Sequence, residues 1–398
     1  MIKPLTSLRF YVMFTIFLSH LTFLCSSDVG RYVYENFLRN GSIGVTLFFV
    51  LSGFVINIGY GEKFKECGVK DYICFQKKRI IKIYPLYLVT MIVMFVFNIH
   101  SFESLSDIFK NIIRFAFCIP MLQSLIPIQE VAQSFNGAAW FLSCLFVLYL
   151  VTPLVLKWNY RIRKSKIWSI ICLSLMIILV PIIVVFSKKF LDEKYLIGFI
   201  YCSPYMRITN YLSGIFLANI YLNSKEKIDG SISVKKATWG EGLAIIIFLI
   251  TYIFVPQLPG EIAYTLYVLT SLLCVLCFSY SKGKVSCFLS KYMNIFLGNI
   301  SFEFYLIHYP LISIGYYLVT KYNVYPTKLV MWSVIFFVVS LTFAILVYKL
   351  MRNKSYKVIV YCKIELPKVA NGNWRMLHLQ IGESCKAFAR SAQERCSA

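Results

Sequence analysis

Arg9 and His20 stand eleven positions apart inside one apolar stretch, LTSLRFYVMFTIFLSHLTFLC. A guanidinium and an imidazole are costly in such a segment unless they work. On a helix, eleven residues bring a side chain back to within about 20° of its starting azimuth and carry it about 16 Å along the axis, so the pair shares one face. Desolvation disfavours a charged imidazole, and a neutral one can take a proton from a hydroxyl. A guanidinium grips phosphate oxygens bidentately. The spacing therefore points to an anion held near one end of a helix and a proton transfer near the other.

Other polar positions are weighed in the same way. Arg79 and Lys82 begin an apolar run, where the bland reading is a pair of snorkelling anchors. Arg207 falls near the middle of a run, where an unpaired guanidinium costs at least about 3 kcal/mol, so it is expected to face a partner or a wet cavity. Ser301, Tyr305 and His308 follow i, i+4, i+7 spacing and form one polar stripe. Glu303 lies about 140° from His308 on that helix, which argues against a simple dyad between them. Trp140 reads first as an interfacial anchor, and Ser52 beside Gly53 as a point of close helix approach. His100 and His378 receive no role.

These residues need elements that hold them in a bilayer. Hydrophobic residues make up 59% of the 398-residue chain and charged ones only 15%, and the mean hydropathy is +0.69. That balance excludes a soluble globular protein. Apolar runs long enough to cross about 30 Å of hydrocarbon recur along the chain. The expected fold is an all-α polytopic membrane protein of about ten transmembrane helices, near 5–25, 41–60, 80–99, 138–157, 165–187, 196–221, 239–256, 261–281, 294–319 and 328–350. The apolar piece 111–128 begins with Lys110 and Arg114 nearby and carries Pro120 and Pro127, so it reads as a re-entrant or interfacial segment, with an eleventh span as the alternative.

Loop charge orients the bundle. GEKFKECGVKDYICFQKKR, KWNYRIRKSK, NSKEKIDGSISVKK and SKGKVSCFLSK are densely basic, whereas GRYVYENFLRN, SKKFLDEKYL, QLPGE and TKYNVYPTK are not. The positive-inside rule then places both termini in the cytoplasm. It also accounts for the net charge of +23 without nucleic acid, because the cations are spread over loops rather than gathered on one face. Arg9 and His20 interrupt the first span and no small-residue cleavage site follows, so it is expected to remain in the mature chain. The thirteen cysteines show no disulfide framework, and Cys274 and Cys277, a CxxC within an apolar run, read as packing residues; no metal site is legible. Residues 1–350 are expected to form the membrane domain and 351–398 a cytoplasmic, partly disordered tail.

Several stretches carry a resemblance. The Arg9–His20 pair is followed by Gly44-Val45-Thr46-Leu47-Phe48-Phe49-Val50-Leu51-Ser52-Gly53-Phe54, with its FFxxSGF pattern. Then come Lys78-Arg79-Ile80-Ile81-Lys82-Ile83-Tyr84-Pro85, Trp140-Phe141-Leu142-Ser143 with Tyr149, and Arg207 before Gly214. Leu297-Gly298-Asn299-Ile300-Ser301 through Tyr305-Leu306-Ile307-His308-Tyr309-Pro310 closes the series. In order and spacing the chain resembles the membrane-bound acyltransferase 3 family, which acylates carbohydrates and other envelope molecules in bacteria. Two departures stand out: many members carry an acidic residue where Thr46 stands, and a glutamate where Leu145 stands.

The resemblance implies an O-acyltransferase of the bacterial inner membrane, with acetyl-CoA or another acyl-CoA as co-substrate and no bound cofactor. Its acceptor would be a hydroxyl of a surface polysaccharide or its lipid-linked precursor. His20 is then the base, and Arg9, Arg79 and Arg207 serve the donor. Ser52, Trp140, Ser301, Tyr305 and His308 are cavity-lining candidates. Membrane lipids and the glycan are the expected partners; oligomeric state is open. A transporter or flippase is the alternative, since intramembrane arginine and histidine also line solute paths, although no inverted repeat is visible. A sensor or assembly scaffold would not depend on His20.

Overall fold

The computed structural model describes residues 2–99, 103–322 and 328–369, and these are helical with no strand. In order the helices are α1 (Lys3–Ser19), α2 (Asp28–Val33), α3 (Ser42–Tyr60), α4 (Val69–Asn98), α5 (Leu105–Cys118), α6 (Gln129–Ala132), α7 (Trp140–Arg163) and α8 (Lys166–Phe190). There follow α9 (Glu193–Ile197), α10 (Pro204–Ser231), α11 (Val234–Phe254), α12 (Gly260–Ser279), α13 (Lys284–Leu289), α14 (Tyr292–Lys321) and α15 (Leu329–Val369). The chain divides into one unit up to Ile345 and another from Leu346. The expected tail falls partly on 370–398, which lies outside the described residues, as do His100 and His378.

Nine segments among the described residues are long and apolar enough to cross a membrane. They coincide with nine of the ten expected spans. The remaining expectation, 196–221, falls on α10, which has spanning length but carries Arg207, Asn210, Ser213 and Asn219, all buried. A helix sheathed by other helices meets protein rather than lipid, and α10 packs most extensively on α3 and α8. At 28 residues it is about 42 Å long, so only its polarity separates it from the others.

Small residues set that central contact. A Cβ on Gly53 would collide with the Tyr211 carbonyl, and one on Gly214 with the Val50 carbonyl, so each glycine admits the backbone of the opposite helix. Asn57, Asn159 and Asn219, all fully buried, then join α3, α7 and α10: Asn57 donates to Asn219 at 2.8 Å and Asn219 to Asn159 at 2.8 Å.

The segment near 111–128 does not cross. Ser104 caps α5 by accepting from the Asp107 N–H at 3.1 Å, and the helix lasts 14 residues, about 21 Å. Asp107, Lys110, Asn111 and Arg114 form one stripe, while Leu105, Phe109 and Ile112 are exposed. That is the pattern of a helix lying at an interface. The chain then folds back over the start of α7, where the Ser124 hydroxyl donates to the Trp140 carbonyl at 2.8 Å.

Candidate active site

His20 ends α1, and His308 lies on α14 opposite it. His308 Nε2 is 3.2 Å from His20 Nδ1. The backbone carbonyls assign the protons, because a carbonyl can only accept. His308 Nδ1 faces the Phe304 carbonyl at 3.2 Å and so carries the hydrogen, leaving its Nε2 as an acceptor. His20 Nδ1 is 2.9 Å from the Ile16 carbonyl, so its hydrogen is shared between that carbonyl and His308. His20 Nε2 is left with a lone pair and no partner among the described residues. The Tyr309 ring meets His20 edge-on at 5.2 Å and fixes its orientation.

The rest of the α14 stripe has separate duties. Tyr305 lies beside His308, ring centroids 5.8 Å apart, and its hydroxyl donates to the Ala138 carbonyl at 2.6 Å. Ser301 turns back and donates to Gly298 at 2.8 Å, so it does not join the histidines. Glu303 has Lys82 as its electrostatic neighbour rather than His308, in keeping with the angular argument.

A group of cations occupies the other end of α1. Arg9 and Arg79 lie near enough to repel each other, and Lys82, exposed one turn beyond Arg79 on α4, is felt by both and by Glu303. Lys82 is thus more than the isolated anchor its position suggested. The Arg79 guanidinium sits among Phe75, Tyr60 and Tyr149 at 5.0, 5.3 and 5.3 Å from the ring centres, and its Nε has no hydrogen-bond partner among the described residues. Tyr149 is hydrogen-bonded to Ser52. Neither arginine forms an ion pair among the described residues.

Arg207 stands apart from that group. Fully buried, it donates through Nε to the Tyr201 carbonyl at 2.9 Å and through Nη1 to Thr46 Oγ1 at 3.4 Å, while Nη2 has no partner among the described residues. Tyr201, Trp140, Tyr264 and Phe49 surround it with ring centres 5.2 to 5.9 Å away. Rings stabilise a desolvated cation by about 2 kcal/mol or more, and here they stand where a carboxylate would otherwise be needed.

The depth of each group can be read along α7. Trp140, against Arg207, and Tyr149, against Arg79, are nine residues apart, about 13 Å. From Trp140 the aromatic contacts continue to Phe141, to Tyr305 at 5.4 Å and to His308. Arg207 therefore lies between the Arg9–Arg79 group and the histidines and touches neither arginine. Trp140 is not an interfacial anchor: it is 3% exposed, its indole packed among Phe49, Phe141, Tyr201 and the Arg207 guanidinium. In the sequence Thr46 stood out only as a departure from the family pattern, and Tyr201 and Tyr264 were not singled out. Thr46 sits inside the Gly44–Phe54 stretch, but in a chain with 17% aromatic residues nothing marks the two tyrosines.

The sequence model of an acyltransferase domain, that of the acyltransferase 3 family, matches residues 4–349. A protein from Streptomyces mycarofaciens named acyltransferase MdmB is 25% identical over 339 residues, covering 79% of this chain and 80% of its own. No solved structure matches.

Proposed function

From the premise that the chain belongs to the acyltransferase 3 family, a membrane acyltransferase, we propose that it transfers an acyl group, acetyl foremost, from cytoplasmic acyl-CoA to a hydroxyl of a surface polysaccharide or its lipid-linked precursor. The bacterial inner membrane is its proposed location, with both termini in the cytoplasm and residues 1–350 as the membrane domain. The observation that carries this reading is the open Nε2 of His20, whose Nδ1–H is committed to Ile16 and His308.

The CoA phosphates are held by Arg9 and Arg79, cations without acidic partners among the described residues, with Lys82 one turn beyond Arg79. The pantetheine arm spans the roughly 16 Å to His20, so a phosphate anchor at one end positions the thioester at the other. Arg207, between the two ends, offers Nη2 to the thioester carbonyl and stabilises the oxyanion that forms there. His20 Nε2 takes the acceptor hydroxyl's proton as the oxygen bonds to the acyl carbon. The carbon–sulfur bond then breaks, and the CoA thiolate leaves with the proton that His20 returns. His308 Nε2 accepts from His20 Nδ1–H throughout, a bond that strengthens while His20 is cationic.

The test is transfer of label from acetyl-CoA into envelope glycan by membranes containing the protein. Label with wild type and none with His20→Ala at matched abundance supports the reading. Equal label in both removes His20 from the chemistry. No label with wild type, together with no binding of acetyl-CoA, defeats the acyltransferase reading.

A further inference from the structure

A cavity of about 500 Å³ opens between the end of α4, the polar stripe of α5 and the segment from Glu130 to Phe135. Its volume lies within the range of small-ligand sites, about 300–1,000 Å³. Asn98 lines it, 19 residues beyond Arg79 on α4 and thus about 28 Å along that helix from the proposed phosphate site. The cavity is therefore on the histidine side of the bundle, about 12 Å past the depth of His20, which is separated from Arg9 by about 16 Å. We propose that it binds a neutral glycosyl unit of the acceptor and presents the acceptor to His20, an inference that rests on the acyltransferase reading above.

The chemistry of the walls selects this ligand. Asp107, Lys110, Asn111 and Arg114 face the cavity from α5, and Glu130 faces them. Lys110 pairs with Asp107 at 3.7 Å and Arg114 with Glu130 at 3.1 Å, so the charges cancel locally. Such pairs offer N–H donors and carboxylate acceptors side by side, as ring hydroxyls require, but no net cation for a phosphate or uronate. One wall is rigid: Phe135 holds φ 60°, and the Phe95 and Phe115 rings pack on it at 5.3 and 5.6 Å.

The same wall leads to the histidines. After Phe135, Asn136 is fully buried and donates to Thr90 at 3.1 Å and to the Leu306 carbonyl at 3.0 Å, while its Oδ1 has no partner among the described residues. Gly137 follows, so close to Tyr309 that a Cβ would enter its ring, and Tyr309 is the residue lying edge-on to His20. Two residues of chain thus connect the cavity wall to the ring that orients the base. Asn136 Oδ1 is an acceptor left open between them.

The test uses envelope glycan from a strain lacking this protein, treated with mild base to remove ester-linked acyl groups and cut to fluorescently tagged fragments. Asn111→Trp fills the cavity, and Arg114→Gln removes one donor with little change in bulk. Wild type in detergent is expected to retain the fragments, and Asn111→Trp to bind them at least 10-fold more weakly. In the transfer assay both variants are expected to raise KM for the glycan, with KM for acetyl-CoA and acyl-CoA hydrolysis without glycan unchanged. Fragment binding equal to wild type in both variants overturns the proposal. Because that binding needs no turnover, its loss is separable from failure of the acyltransferase reading, which shows as absence of transfer with binding intact.

Discussion

The two ends of α1 are built on opposite terms. Around His20 the hydrogen bonds are assigned: two carbonyls and a second imidazole leave one lone pair open. Around Arg9 and Arg79 the cations repel one another and, among the described residues, no ion pair offsets either arginine. A group that must move one proton needs a fixed tautomer, whereas a group that must seize a polyanion gains from leaving its counter-charge to the ligand. Arg207, between them, combines both designs, with two committed nitrogens and one open.

The largest expected effect tests the assigned end. His20→Ala is expected to lower the transfer rate at saturating donor by about 10²–10⁴-fold, read as acyl transfer at matched protein abundance. Arg207→Leu sharpens the comparison, with transfer falling by about 10²–10³-fold as the open Nη2 is lost. The thermal unfolding midpoint should hold or rise, because a buried charge without an acid partner has been removed. A stability loss with activity intact would make Arg207 purely structural. Arg9→Gln or Arg79→Gln is expected to raise KM for acyl-CoA about tenfold, at about 1.4 kcal/mol, with the rate at saturation nearly kept. His308→Gln, which still offers an acceptor to His20, is expected to slow transfer less than His20→Ala while leaving both KM values unchanged. The smallest effect concerns the frame: Gly214→Ala forces a methyl against the Val50 carbonyl and is expected to cost about 1–3 kcal/mol in unfolding measurements.

What was legible beforehand follows from what periodicity encodes. Eleven residues on one helix specify a shared face for Arg9 and His20, but not what faces either of them. The stripe on α14 correctly united Tyr305 with His308, but spacing says nothing of the opposing helix, so the 3.2 Å approach of His20 was not readable. Hydropathy located the spans that meet lipid. It placed a span at 196–221 as well, but could not show that the polar residues of α10 meet other helices. Arg207 was grouped with Arg9 and Arg79 because all three are intramembrane arginines, and residue type carries no depth. The anchor reading of Trp140 failed for a related reason: a tryptophan opening a span looks interfacial unless one knows that Phe49, Tyr201 and Arg207 from other elements close around its ring.

The most direct measurement is acyl transfer as a function of acyl-CoA concentration for Arg9→Gln and His20→Ala side by side, with donor binding measured on the same preparations. Arg9→Gln should recover near wild-type rates once acyl-CoA is raised, while His20→Ala should bind donor as wild type does and stay inactive at every concentration. Recovery of His20→Ala at high donor, or an Arg9→Gln protein that binds donor normally yet stays inactive at saturation, would contradict the division of labour between the two ends of α1.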